Sequence, residues 1–143
     1  MRRENPRTDS RTRLGRVLVV EDDPVQSLAL EAALLEAGAA NVVLCASIAR
    51  TMAALEQGPA DAIVLDVHLA DRNDGWALAE LADMLGAKPP LIVFSTGSPE
   101  DIPPEVAAMG PIFEKPYDPA QLAAALVNGA KPGLFARLRN AIS

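Results

Sequence analysis

The sequence is short of aromatic residues, at 3% of the chain, so whatever core it builds has to come from Val, Leu, Ile and Ala. It has a single cysteine, Cys45, which excludes an internal disulfide framework and fits a reducing compartment. Cys45 lies in an apolar stretch and reads as a buried, inert thiol. No apolar run approaches the roughly 20 residues that span a bilayer, so no membrane insertion is expected. The first residues lack the apolar middle segment of a secretory signal. These absences point to the cytoplasm. What is present is ordinary for a soluble globular protein: half of the 143 residues are hydrophobic and 22% are charged, enough to bury one core in one domain.

The net charge of −6 conceals a division. Residues 1–16 hold six arginines against Glu4 and Asp9, for +4, which leaves −10 on the remaining 127 residues. An acidic body argues against nucleic-acid binding by the folded part. The arginines read as a solvated arm, with contact to nucleic acid or anionic lipid as the alternative.

Beyond that tail the chain alternates β-branched runs with Ala/Leu-rich segments of helical period. Val17 to Val20 is a continuous apolar run, the pattern of a strand buried on both faces. Asp23 reads as an N-cap before Pro24. Val25, Leu28, Ala32 and Leu35 then form an expected helix face that ends at Gly38. Strands are predicted at Val42 to Cys45, Ala62 to Leu65, Leu91 to Phe94 and Ile112 to Phe113. Helices are predicted from Ser47 to about Gln57, from about Gly75 to Leu85, and onward from Asp118 with Leu122, Ala125 and Leu126. This order implies an α/β fold, a doubly wound five-stranded parallel sheet covered by helices on both faces. Between strands four and five stand Pro99, Pro103, Pro104 and Pro111. A proline inside a helix costs about 3 kcal/mol, so the helix here is expected to be short, displaced or mobile. Three parts follow: a flexible basic tail over 1–14, the main domain over 15–129, and a short C-terminal helical extension over 130–143, striped by Leu134, Leu138 and Ile142.

In such a sheet ligands collect beyond the carboxyl ends of the strands. Glu21 and Asp22 follow strand one, Asp66 follows strand three, Ser95 and Thr96 follow strand four, and Lys115 follows strand five. Three carboxylates in one crevice repel each other unless a hard cation relieves them, and Mg²⁺ takes carboxylate oxygens at about 2.0–2.1 Å. Glu21, Asp22 and Asp66 supply carboxylates, and a loop carbonyl near His68 adds a ligand. Lys115 suits charge on a transferring phosphoryl group, and the Ser95 hydroxyl with backbone N–H groups around Thr96 and Gly97 suits its oxygens. Against this stand plainer readings. Glu21, Asp22 and Asp23 also suit a helix start, Asp66 a cap and Lys115 an ordinary surface position. Trp76 reads as helix packing or a partner-facing surface. His68, the one histidine, is expected to keep its side chain solvated at the site mouth.

The segments Val17 to Pro24, Ile63 to Asp66, Val93 to Gly97 and Glu114 to Tyr117 together resemble the receiver domain of bacterial response regulators over about residues 14–128. The resemblance implies the flavodoxin-like receiver fold with strand order 2-1-3-4-5. It makes Asp66 the phosphoacceptor, taking phosphoryl from a sensor histidine kinase or a phosphotransfer protein. Glu21, Asp22, Asp66 and the His68 carbonyl become the Mg²⁺ ligands, Ser95 the switch hydroxyl and Lys115 the partner of the phosphoryl group, with a cis bond to Pro116. It implies self-catalysed transfer and hydrolysis rather than an enzyme with external turnover. Departures are a longer loop from Asp66 to Gly75 that lacks a proline, Ile112 where many receivers carry an aromatic residue, and the proline-rich segment. These resemble a subgroup of single-domain receivers with a Phe-Ala-Thr-Gly-type motif, found largely in alphaproteobacteria and paired with HWE-like histidine kinases. There, order and disorder of residues 98–111 is the expected switching element. No DNA-binding domain is expected after the fifth helix, so output would run through contact with a downstream protein. Two other classes compete. A degenerate receiver would act as a phosphorylation-independent interaction module. A small phosphohydrolase would also use an aspartyl nucleophile, but commonly needs a second acid where this chain has His68.

Overall fold

The computed structural model describes residues 14–67, 84 and 89–129. The tail up to residue 13, His68, the loop 70–74, Trp76, nearly all of the expected helix over 75–85 and the extension 130–143 lie outside the described residues. The described elements are β1 (Arg16–Val20), α1 (Pro24–Ala37), β2 (Asn41–Cys45), α2 (Ile48–Gln57), β3 (Ala62–Leu65), β4 (Leu91–Thr96), a 3₁₀ turn (Pro99–Asp101), α3 (Pro104–Ala107), β5 (Ile112–Glu114) and α4 (Pro119–Gly129). The strands form one sheet in the order β2-β1-β3-β4-β5, and every neighbouring pair is parallel. That is the order the resemblance to receiver domains implied.

Strand alternation splits the core in two. Leu18, Val20, Ile63, Leu65, Ile92 and Phe94 face α2 and the 99–107 segment, packing on Ile48, Ala54, Ile102 and Val106. Val17, Val19, Ala62, Val64 and Val93 face α1 and α4, packing on Leu30, Leu34, Leu122 and Leu126. A sheet buried on both sides needs apolar residues at successive strand positions, which is why its strands read as continuous runs. The prolines shorten the helix before β5 as expected: what remains is a three-residue 3₁₀ turn and the four-residue α3.

Two expectations are corrected. The face of α1 chosen from spacing is the wrong one: Val25, Leu28, Ala32 and Leu35 are all exposed, and the helix buries Ser27, Leu30 and Leu34 instead. Apolar residues occur all round α1, so period alone does not choose a face. The polar Ser27 is tolerated inside because its hydroxyl donates to the Glu21 carbonyl at 3.2 Å. The caps are as read: the Asp23 side chain accepts from the Val25 N–H, and Gly38 ends the helix at φ 117°. Arg16 is the second correction, because it is part of β1 rather than of a solvated arm. Its guanidinium donates to the Gly58 carbonyl at 2.7 Å and the Ala54 carbonyl at 3.0 Å, satisfying orphan carbonyls at the end of α2.

Candidate functional site

The backbone places the site before any side chain does. Glu21 lies one residue past β1 and donates its N–H to the Cys45 carbonyl at 3.0 Å. Asp66, one past β3, donates to Val20 at 3.0 Å, and Lys115, one past β5, donates to Thr96 at 2.8 Å. Each of these residues therefore continues the hydrogen-bond ladder of the sheet, and all three emerge at its carboxyl edge. A short loop would let them wander; a ladder bond on the same residue does not.

Glu21 and Asp66 are buried, at 3% and 5% exposure, while Asp22 is exposed. One oxygen from each of these three carboxylates lies within 4.8 Å of the others. The Lys115 ammonium donates to Glu21 Oε1 at 2.8 Å and to Asp66 Oδ2 at 3.2 Å. One ammonium against three carboxylates leaves a surplus of negative charge, and a crowd of hard oxygen donors with such a surplus fits Mg²⁺. Burial pushes the Glu21 carboxyl above its ordinary value, and the Asp66 charge adds to that, against the pull of Lys115. Burial alone would lower the Lys115 ammonium, but the bond to Glu21 and the charges of both carboxylates outweigh it and raise it. The Lys115–Pro116 bond is cis, as expected.

Ser95 is 1% exposed, and alternation along β4 carries its side chain to the side of Val93. Thr96 turns the other way, and its Oγ1 accepts from the Ser98 N–H at 3.0 Å. Thus Glu21, Asp22, Asp66 and Lys115 converge, Ser95 and Thr96 end the neighbouring strand β4, and the His68 carbonyl lies outside the described residues. Cys45 is buried at 2%, and burial pushes its thiol up, away from the reactive thiolate.

Sequence reasoning passed over one residue here. The Tyr117 hydroxyl lies 2.6 Å from Ser95 Oγ and accepts from Gln26 Nε2 at 3.2 Å. Its ring meets Phe113 edge-on at 5.7 Å. The signal was available: it is the single tyrosine of an aromatic-poor chain, and it stands two residues after Lys115.

A five-stranded parallel sheet of this order, with paired acids after β1, an aspartate after β3 and a lysine after β5, defines a receiver-type α/β domain. The family model for the response regulator receiver domain matches residues 17–127, and the chain belongs to that family. Its fold is similar to that of a CheY-like receiver domain from Methylobacillus flagellatus, at 22% identity and a TM-score of 0.69, covering 82% of this chain and 99% of that one. It is similar to the receiver domain of a sensor histidine kinase from Pseudomonas aeruginosa, a structure with a magnesium ion coordinated in its active-site cleft, at 24% identity, a TM-score of 0.66 and coverage of 80% and 96%. A third similar structure is the anti-anti-sigma factor PhyR of Bartonella quintana, at 21% identity and a TM-score of 0.65, with 80% of this chain spanning about half (48%) of that one. No curated protein matches the chain in sequence.

The raised Glu21 carboxyl has a measurable consequence. Mg²⁺ held at these carboxylates would compete with protons for it, so its affinity is expected to begin falling on acidification above the ordinary glutamate value of 4.5. Glu21→Gln removes that proton competition and is expected to flatten the upper part of the profile, in titration calorimetry from pH 7 to 5. In the metal-free protein the sign for folding is the opposite. A carboxyl raised by folding stabilises the fold below 4.5, and that contribution is lost as pH rises through the raised value.

Proposed function

We propose that this chain is a phosphoryl-accepting signalling switch that takes its phosphoryl group from a histidine kinase or a phosphotransfer protein onto Asp66. The observation that carries the reading is the 3.2 Å pair between Lys115 Nζ and Asp66 Oδ2 inside the acidic cluster. An Asp66 oxygen attacks phosphorus, the P–N bond of the donor phosphohistidine breaks, and the imidazole nitrogen keeps the electron pair. Lys115 then holds charge on the phosphoryl oxygens, with the Ser95 hydroxyl and the chain around Thr96 and Gly97 beside it. Mg²⁺, held by Glu21, Asp22, Asp66 and the His68 carbonyl, would neutralise charge between the carboxylates and the incoming group. In this reading residues 15–129 are the switch, residues 1–14 and 130–143 flank it, and the protein works in the cytoplasm through contact with a downstream protein.

The test is intact mass after incubation with acetyl phosphate and Mg²⁺. Wild type is expected to gain about 80 Da, one phosphoryl group, while Asp66→Asn and an EDTA control gain nothing. A wild type that takes up no phosphoryl group and binds no beryllofluoride would make the phosphorylation-independent interaction module the better reading.

A further inference from the structure

Helix α1 leaves an apolar stripe in water. Three of the five large hydrophobic side chains exposed among the described residues stand on it: Val25 at 75%, Leu28 at 58% and Leu35 at 47%. With the exposed Ala32 they recur at spacings of 3, 4 and 3, so they line one face from the first turn of the helix to the last. The sheet and α4 take the opposite side, through Leu30 and Leu34. Glu31 and Glu36 fall on either edge of the stripe, and α1 carries no cation. The ion pairs among the described residues are both made by Lys115, so neither glutamate has a cation partner there. A continuous apolar face of this length marks a contact surface, where single scattered side chains would not.

Residues 130–143, outside the described residues, have the complementary sequence. Leu134, Leu138 and Ile142 recur every four residues with Phe135 beside them, and on a helix Arg137 and Arg139 fall on opposite edges of that apolar arc. The segment holds three cations, Lys131, Arg137 and Arg139, and no acid. Its point of departure also suits α1. The Gln26 to Tyr117 hydrogen bond at 3.2 Å sets the start of α1 beside the start of α4, and both helices run back from the carboxyl edge of the parallel sheet. The end of α4 at Gly129 therefore lies on the side where α1 ends. Pro132 and Gly133 stop a helix from continuing. The four residues 130–133 span up to about 13 Å, more than the roughly 8–10 Å between packed helix axes. As a helix, residues 134–142 are about 12 Å long, against about 15 Å from Leu35 back to Val25.

We propose that residues 134–142 form a helix that docks antiparallel on the exposed face of α1, covering its apolar stripe with Leu134, Leu138 and Ile142 and setting its arginines against Glu31 and Glu36. Charge and composition select this occupant. The other basic segment, residues 1–13, has no leucine, isoleucine, valine or aromatic residue with which to cover a stripe. A second copy of α1 would bring acid to acid. Because α1 starts at Pro24, two residues past Asp22, the far end of the cover borders the acidic cluster.

The chain has one cysteine, Cys45, buried at 2%, so a cysteine introduced on the surface of the full-length protein is the thiol that reacts. Ala32→Cys is a small change in the middle of the stripe. Its labelling by a fluorescent maleimide is expected to be slow, and adding Leu138→Glu is expected to speed it at least about tenfold, the scale set by burying one leucine side chain. Glu56→Cys, exposed on α2 across the sheet, is the reference: its labelling is expected to be fast and indifferent to Leu138→Glu. Labelling at position 32 that Leu138→Glu leaves unchanged, whether fast or slow, would overturn the cover. So would an equal rise at both positions, which would report a loosened fold. Slow labelling that speeds up on dilution, as dimer gives way to monomer in analytical ultracentrifugation, would overturn it in favour of a second copy.

Discussion

Lys115→Met is expected to cost the metal-free protein about 3 kcal/mol, close to the lower end for breaking a buried ion pair. The reason is what the substitution leaves behind. Glu21 and Asp66 are nearly inaccessible, and each gives an oxygen to the Lys115 ammonium, at 2.8 and 3.2 Å. Methionine keeps most of the stem and its packing but leaves two buried carboxylates side by side without the ammonium between them. The lower end applies because the lysine side chain is 27% exposed, so water already shares part of its work. For a chain of this size the loss corresponds to a melting temperature about 10 °C lower. Mg²⁺ should then stabilise the variant more than it stabilises wild type, because the ion takes over the neutralisation. Acetyl-phosphate labelling should slow about a hundredfold, the usual scale for removing one group that stabilises developing anionic charge. Melting curves with Mg²⁺ and with EDTA test the first two expectations. An unchanged metal-free melt would show that the ion pair is incidental.

Gly110→Ala is expected to be as damaging, for a steric reason. A Cβ at Gly110 would run into the carbonyl of Ile92, a β4 backbone atom that cannot step aside without distorting the ladder between β4 and β5. No rotamer relieves a clash between a methyl group and a main chain, so a cost of about 3 kcal/mol is expected, at the upper end for overpacking. Gly97→Ala is the matched control: a Cβ there meets nothing within 4 Å, and its stability should stay within about 0.5 kcal/mol of wild type. Urea denaturation of the three proteins decides the matter. Gly110 matters for function because the strand that follows it carries Lys115 at its end. A shifted β5 would displace the ammonium even in a protein that still folds.

The contrast between these two positions shows where sequence reasoning reaches. Lys115 could be picked out because a charge at the end of an apolar strand is costly without a partner, and three other strands delivered polar groups to the same edge. Gly110 could not, because its constraint comes from a carbonyl on another strand. Cys45 was legible for the first reason, an apolar neighbourhood. Arg16 was not, since nothing in the tail announces that its guanidinium will close the end of α2.

What the sequence determined by itself was the order of elements, the parallel sheet and the edge at which the acids, Ser95 and Lys115 meet. Continuous apolar strands, caps and prolines are local signals, and alternating strands and helices leave few topologies open. The tertiary structure alone decided which face of α1 is buried. Apolar residues surround that helix, and contact with β1 and α4 selected Leu30 and Leu34, while the Glu21 carbonyl made Ser27 tolerable inside. It alone brought Tyr117 to Ser95, because packing of the chain after β5 against β4 and α1 places side chains that the chain order leaves 22 residues apart. Periodicity reports which residues prefer to leave water; only the packed neighbours decide what each of them then touches.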